Sequence, residues 1–267
     1  MTFGGAHMEI RETILQKLRE IEQQEQVTVL HAVESGSRAW GFASPDSDYD
    51  VRFIYVRRAE AYLRLNPPRD VIEWQLDETL DINGWDLQKA LCLMHASNPT
   101  LFEWCASPVV YRTTDYWKTV RSRAAAYFSV KSGFWHYLSM ARHNYRAYLT
   151  GDSIRLKKYF YVLRPVLACR WILEKHTAPP VAFSELADAM LEPALKPVTA
   201  ELVACKMQTS ELGAGGQVPV LHPYLEQSLR ELEAEAAKLP AEQPGDWAVL
   251  NRLFLDGIRA GGSRLPE

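Results

Sequence analysis

Apolar positions along the chain follow two regimes that change near residue 114. Before that point they come in short runs; after it they recur at helical spacing. Ile10, Ile14, Leu15, Leu18 and Ile21 repeat every three to four residues between polar neighbours, which predicts an amphipathic helix over residues 9–25. VTVLHAV (27–33) is compact and β-branched and predicts a strand, and VRFIYVR (51–57) predicts a second. NPPRD reads as a turn, and DVIEWQL and TLDI read as further strands. Asn83–Gly84 then reads as a break before a helix in WDLQKALCLMHAS, with Leu87, Leu91 and Met94 on one side.

The later part is written almost entirely in helical pattern, punctuated by SVKSG, TGDS and HTAPP. Pro165 sits inside LKKYFYVLRPVLACRWIL, where it removes one backbone bond and predicts a bend or a fresh start. ELGAGGQVP (211–219) predicts an exposed loop, and PYLEQSLRELEAEAAKL and WAVLNRLFLDGI supply the last helices. No internal repeat is visible. The expected architecture is a small α/β unit over residues 9–112 followed by a helical unit over 113–267.

Composition changes this picture in two places. A chain of 267 residues with 47% hydrophobic content can build full cores without covalent staples. Its cysteines, Cys92, Cys105, Cys169 and Cys205, show neither a CxxC pair nor a histidine at ligand spacing, which excludes a zinc knuckle or a disulfide framework. No apolar run approaches the roughly 20 residues that span a bilayer. A cytoplasmic setting without membrane contact is therefore expected.

Net charge is −3, but its distribution is uneven. Between Tyr116 and Leu173 eleven Lys or Arg face a single acid, Asp152, a local balance of +10 that leaves −13 for the remainder. Thirteen aromatic residues share that stretch. Cations interleaved with stacking rings suit nucleotides or single-stranded nucleic acid, and a helical core with basic rims is the plainer alternative.

The candidate chemistry lies in ESGSRAWGFASPDSDYD (34–50). Asp48 and Asp50 stand two apart where a strand begins, so both point to one face, roughly 6–7 Å apart at their roots. Carboxylates so placed can share divalent ions about 3.5–4 Å apart, the arrangement used for in-line displacement at phosphorus. Oxygen ligands favour Mg²⁺ or Mn²⁺ over zinc. Upstream, Gly36–Ser37 follows a strand and opens a short helix, offering backbone N–H groups and a hydroxyl to an anion. Gly41 and SPDS let the chain turn back, with Asp46 as a turn former.

Gly36–Ser37, ten residues, then Asp48-x-Asp50 resembles the signature of the DNA polymerase beta-like nucleotidyltransferase superfamily. DINGWDLQKAL, SNPTLFEWCASPVVY and KKYFYVLRPVLACRWIL extend the likeness to a prokaryotic predicted-nucleotidyltransferase group, part of which is associated with RNA-repair ligases. The resemblance covers roughly residues 27–175. Trp40 stands where the superfamily usually carries an arginine or similar residue.

The resemblance implies an α+β fold: a nucleotidyltransferase core with a short mixed sheet, then a mainly helical domain. It implies metal-dependent transfer of a nucleoside monophosphate from an NTP to a hydroxyl, with pyrophosphate released. Two Mg²⁺ ions, or Mn²⁺, would be held by Asp48, Asp50 and a third carboxylate from a later strand. Asp81 sits in the expected strand context, whereas Asp86 falls in the first turn of the next helix, where the helix dipole already accounts for an acid; Asp81 is favoured. Gly36, Ser37 and Arg38 would grip phosphate. Glu34 reads as a solvated strand end and Arg52 as a strand-face charge.

Lys157, Tyr161 and Arg164 fall on one helix face, with Lys158 adjoining. They would hold the triphosphate and stack on base or sugar if that face lines the cleft, and would form a charged rim otherwise. His136 and His143 have no second ligand at useful spacing. The expected acceptor is an RNA 3′ end, with association to an RNA ligase. The alternatives are an inactive nucleotide-binding module, a toxin-neutralising interaction protein, or nucleotidylation of a protein or small molecule.

Overall fold

The computed structural model describes residues 3–75, 79–151, 154–208, 214–215, 217–240, 242 and 245–262. Leu76, Asp152, Ser153 and four residues of ELGAGGQVP (211–213 and 216) lie outside the described residues. The first part runs α1 (Phe3–Glu25), β1 (Thr28–Glu34), α2 (Gly36–Trp40), β2 (Tyr49–Val56), α3 (Ala59–Tyr62), β3 (Val71–Gln75), β4 (Leu80–Asp86), α4 (Leu87–His95), α5 (Pro99–Ala106), β5 (Val110–Thr113) and α6 (Asp115–Arg123). The rest runs α7 (Val130–Tyr148), β6 (Ile154–Arg155), α8 (Lys158–Lys175), α9 (Phe183–Met190), α10 (Lys196–Gln208), β7 (Ala214–Gly215), α11 (Leu221–Ala236) and α12 (Trp247–Gly262). The fold is α+β, with a mixed sheet and many helices.

The five-stranded sheet has the order β3-β4-β2-β1-β5. β2 and β4 are parallel and the other neighbours antiparallel. Strand alternation decides which side chains face which layer. Val51, Phe53 and Tyr55 of β2, with Leu80 and Ile82 of β4, pack under Ile14, Leu18 and Ile21 of α1. Ile54 and Val56 turn to the opposite face, where they meet Leu87, Met94, Trp117 and Leu250 from α4, α6 and α12. Asp50 and Arg52 share the parity of Ile54, and Asp81 shares that of Trp85, so all three belong to the second face at its open end. α6 and α12 lie beyond residue 112 but pack into the same core as the sheet.

β4 runs unbroken through Asn83–Gly84, contrary to the break expected there. A β-carbon on Gly84 would fall 2.2 Å from the Phe53 ring, so this glycine marks close packing of two strands and not a turn. The 211–219 loop expectation also needs amending, because Ala214–Gly215 pairs antiparallel with Ile154–Arg155.

The helices α7 to α11 enclose their own core, built on Phe134, Leu138, Phe160, Val166 and Leu225 among others. Phe42, from the turn after α2, inserts into it with ring centroids 4.8 Å from Phe160 and 5.2 Å from Phe183. Burying one such ring is worth about 1.5–3 kcal/mol and ties the motif turn to the helical unit.

α8 continues through Pro165 as one helix, without the fresh start that was the alternative. Proline cannot donate to the carbonyl of Tyr161 one turn earlier. Asn144 of α7 supplies the missing bond, its Nδ2 donating to the Tyr161 carbonyl at 2.9 Å.

Among the described residues no helix is long and apolar enough to cross a membrane. The cysteines are all free thiols.

Candidate active site

β1 ends at Glu34, and the chain reverses through Ser35 into α2. The Ser35 N–H donates to the Asp50 carbonyl at 2.8 Å, and the Asp50 N–H donates to Glu34 Oε1 at 2.8 Å. Tyr111 O–H donates a short bond to Glu34 Oε2, and Ser107 Oγ donates to the Glu34 carbonyl at 2.6 Å. Glu34 is only 1% exposed, so it is a buried strap between β1, β2 and β5 and not the solvated strand end expected. Burial raises its carboxyl above the usual range, while the bonds from Tyr111 and the Asp50 N–H oppose that rise.

Gly36 adopts φ +60°, a left-handed conformation that disfavours any side chain. A β-carbon there would sit 2.1 Å from Asp50 Oδ2. Glycine is therefore required twice, by its dihedral and by the carboxylate laid against its backbone. α2 then closes on Gly41, also left-handed at φ +87°.

The sheet register places Asp50 directly beside Asp81 across the parallel pair. Asp86 pairs with Tyr55 five residues further along, on the order of 16 Å away. There it caps α4, accepting from Gln88 N–H at 2.8 Å and from the Tyr62 hydroxyl at 2.9 Å. Asp48 is exposed immediately before β2 and lies within electrostatic range of Asp50.

Arg52 holds the two neighbouring carboxylates together. Its Nη2 lies 3.0 Å from Asp50 Oδ1 and 2.8 Å from Asp81 Oδ2. Alternation from Asp50 already put Arg52 on this face; its pairing partner became visible only with the register. Burial raises the Asp50 carboxyl; Arg52 opposes this, and the charges of Asp81 and Asp48 reinforce it.

Among the described residues, no three His, Cys, Asp or Glu side chains converge tightly enough to cage a metal. The donor chemistry nevertheless fits a hard divalent cation, since two adjacent carboxylates already share one cationic group, the Arg52 guanidinium. Asp48, Asp50 and Asp81 are the residues that could hold it.

Arg38 is occupied with the turn. Its Nε donates to the Asp48 carbonyl at 3.0 Å, its Nη2 donates to the Ser47 carbonyl at 2.6 Å, and its guanidinium lies 3.6 Å above the Tyr49 ring. It braces the turn that delivers Asp48. Ser37 is half-buried at the start of α2.

Lys157, Tyr161 and Arg164, expected on one face of the later helix, and the adjoining Lys158 divide into two groups. Arg164 is 3% exposed, donates to Glu103 Oε1 at 2.9 Å and lies 4.7 Å from the Trp40 ring. It bolts the helical unit to α2 and α5 and is not on an open face with the others. Tyr161 lies within electrostatic range of Asp50: burial raises its phenol, with Tyr148 and then Asp50 adding to the effect. Lys158 lies over the Tyr148 and Tyr161 rings at 3.9 and 4.6 Å, and Lys157 is half-buried beside them.

Lys206 was not anticipated. It donates to the Phe42 carbonyl at 3.2 Å and lies 4.3 Å from the Phe42 ring. Burial lowers its pKa to about 8, with Lys157 adding to the fall and Asp46 opposing it. Its sequence neighbourhood carries no signal, because only the docking of α10 on the motif turn buries it.

Residues 10–256 match the family described as RNA repair pathway DNA polymerase beta family. YcgL of Bacillus subtilis is 41% identical over 263 residues, spanning 95% of this chain and 100% of that protein. The crystal structure of a nucleotidyltransferase-like protein from Exiguobacterium sibiricum aligns with 84% of this chain and 74% of its own, at 14% identity and a TM-score of 0.31, too slight a likeness to bear on the fold.

Two expectations follow from this geometry. Gly36→Ala should lower stability by about 1–3 kcal/mol through the left-handed backbone alone, and more if Asp50 is pushed from its seat. Urea unfolding reads the loss, and an unchanged midpoint would remove Gly36 from its role. For Lys206, a base whose folded pKa is depressed opposes folding at neutral pH, and that penalty fades as pH rises from about 8 towards 10.5. The stability of Lys206→Met relative to wild type should accordingly fall between pH 7.5 and 10, measured by urea unfolding at each pH; a flat difference would mean that the ammonium is not desolvated.

Proposed function

The chain belongs to the RNA repair pathway DNA polymerase beta family, and on that premise we propose that it moves a nucleoside monophosphate from an NTP to the 3′ hydroxyl of RNA, with pyrophosphate leaving. Membership makes it a polymerase beta-like nucleotidyltransferase in kind; donor, metal and acceptor are our reading. One observation carries it: Asp50, seated against the bare backbone of Gly36, stands in register beside Asp81. Nucleotidyl transfer needs carboxylates next to a phosphate-binding turn; the β1–β2 hairpin supplies the turn with Asp48 and Asp50, and the neighbouring strand β4 adds Asp81.

In this reading Asp48, Asp50 and Asp81 hold two Mg²⁺, or Mn²⁺, which when bound supply positive charge to the phosphoryl oxygens and acidify the attacking hydroxyl. The first-turn N–H groups of α2 and the Ser37 hydroxyl would take the β and γ phosphates. Lys157, Lys158 and Lys206 add positive charge from the helical side, and Tyr161 offers a ring to base or sugar. Arg38 holds the turn, so its contribution is to aim Asp48. Arg164 keeps the two halves of the cleft in place. Glu34 fixes the height of β2 against α2 and moves no proton to the substrate. The cationic, aromatic middle region and the RNA-repair family favour an RNA acceptor and association with an RNA ligase.

Arg52 favours a second reading. A guanidinium bridging Asp50 and Asp81 can neutralise them permanently, leaving a module that binds NTP without turnover.

Incubation with each α-labelled NTP, Mg²⁺ or Mn²⁺, and a mixture of RNA, DNA and protein acceptors separates the readings. The proposal expects label on RNA alone, reduced at least about 100-fold by Asp50→Asn and by Asp81→Asn. Label on a protein or on DNA overturns the acceptor assignment. NTP binding with no label on any acceptor, under either metal, overturns catalysis and supports the second reading.

A further inference from the structure

The Asp50–Asp81 pair already holds a cation of the protein's own. Arg52 Nη2 donates to Asp50 Oδ1 at 3.0 Å and to Asp81 Oδ2 at 2.8 Å, while its Nη1 donates to the Val51 and Asp81 carbonyls, each at 3.1 Å. The first two bonds serve the carboxylates. The other two tie the guanidinium to the main chain of β2 and β4 and do not depend on the carboxylates.

This grip decides how the carboxylate oxygens are used. Asp50 Oδ2 lies against the Gly36 backbone, and Asp50 Oδ1 and Asp81 Oδ2 are the oxygens that share Arg52. Exposure divides the three side chains in the same sense: Asp81 is 52% exposed and Asp50 33%, against 18% for Arg52. The carboxylates therefore open to solvent while the guanidinium is mostly covered. Arg38, the other cation whose charge acts on Asp50, is committed to the Asp48 and Ser47 carbonyls and to the Tyr49 ring.

Two carboxylates side by side repel, and one positive charge between them offsets only part of that repulsion. A monovalent ion carries no more charge than the guanidinium it would replace, whereas a divalent ion carries twice as much and favours oxygen ligands. A guanidinium is weakly hydrated, and its bonds to partly exposed carboxylates contribute little to stability. The Nη2 contacts are thus the exchangeable half of the grip and the Nη1 contacts the fixed half.

We propose that Arg52 is a resident counter-ion that yields Asp50 and Asp81 to a divalent cation, stays tethered through Nη1, and so sets the cation concentration at which the site fills. This rests on the cation site proposed above, and it makes Arg52 a competitor in place of a permanent neutraliser.

Mn²⁺ titration of the full chain without nucleotide, read by electron paramagnetic resonance, tests the competition. Arg52→Met, similar in length and uncharged, should bind Mn²⁺ at least about tenfold more tightly than wild type. A residue that only positioned the carboxylates would lose affinity on removal, so the direction of the change separates the two roles. Arg57→Met removes an arginine paired with Glu25 just past the end of β2 and should leave the affinity unchanged; circular dichroism establishes that each variant is folded. In wild type, the Arg52 Nε–H resonance, identified by its loss in Arg52→Lys, should shift on titration with diamagnetic Mg²⁺. Unchanged or weaker Mn²⁺ binding by folded Arg52→Met, equal tightening in Arg57→Met, or an Nε–H resonance that stays in place at saturating Mg²⁺ overturns the proposal and leaves the cation site standing. Mn²⁺ binding by neither wild type nor Arg52→Met overturns the cation site itself, and the proposal with it.

Discussion

The site depends on one close approach, the Asp50 carboxylate against a residue with no side chain. Gly36 takes a left-handed backbone and leaves the space that Asp50 Oδ2 occupies. Glu34 makes the approach permanent, because its buried carboxylate accepts the Asp50 N–H on one oxygen and Tyr111 on the other. Three strands thereby fix the height at which β2 begins. Once that height is set, the parallel register brings Asp81 alongside without further device. A buried acid with a raised pKa costs stability at neutral pH, and the cost is consistent with a part kept for position.

The second structural theme is how the helical unit is attached to this hairpin. Phe42 enters the helical core, Lys206 grips its carbonyl, and Arg164 pairs with Glu103 beneath Trp40. Each contact lands on the segment between Gly36 and Asp50 or on α5 beside it. The turn is consequently held from both sides, by the sheet through Glu34 and by the helices through Phe42. Even the defect at Pro165 serves this arrangement, since the Asn144 bond that repairs it fixes the backbone of Tyr161, within electrostatic range of Asp50.

Much of this was legible in local pattern. The signature spacing, the strands around it and the change to helices near residue 114 follow from periodicity and turn chemistry, whereas Asp86, expected in the first turn of the next helix, ends β4 and caps α4 instead. What was illegible depends on long-range packing. Asn83–Gly84 looks like a turn because its local preference is strong, yet the Phe53 ring across the sheet accounts for the glycine. Glu34 looked solvated because nothing near it in sequence reveals Tyr111. Arg164 seemed to share an open face with Lys157 and Tyr161, but helical spacing says nothing about which part of that face a neighbouring helix covers. Lys206 acquires its significance only when α10 docks on the motif turn.

If Asp50 and Asp81 are a cation site set by the Glu34–Gly36 seat, binding of a paramagnetic ion reads it without requiring turnover. Mn²⁺ titration of the full chain followed by electron paramagnetic resonance should show a bound ion whose affinity falls at least about tenfold in Asp50→Asn and in Asp81→Asn, while Asp86→Asn, at the far end of the strand, leaves it unchanged. Equal Mn²⁺ binding by all three variants and wild type, or no bound ion in wild type, would contradict the account.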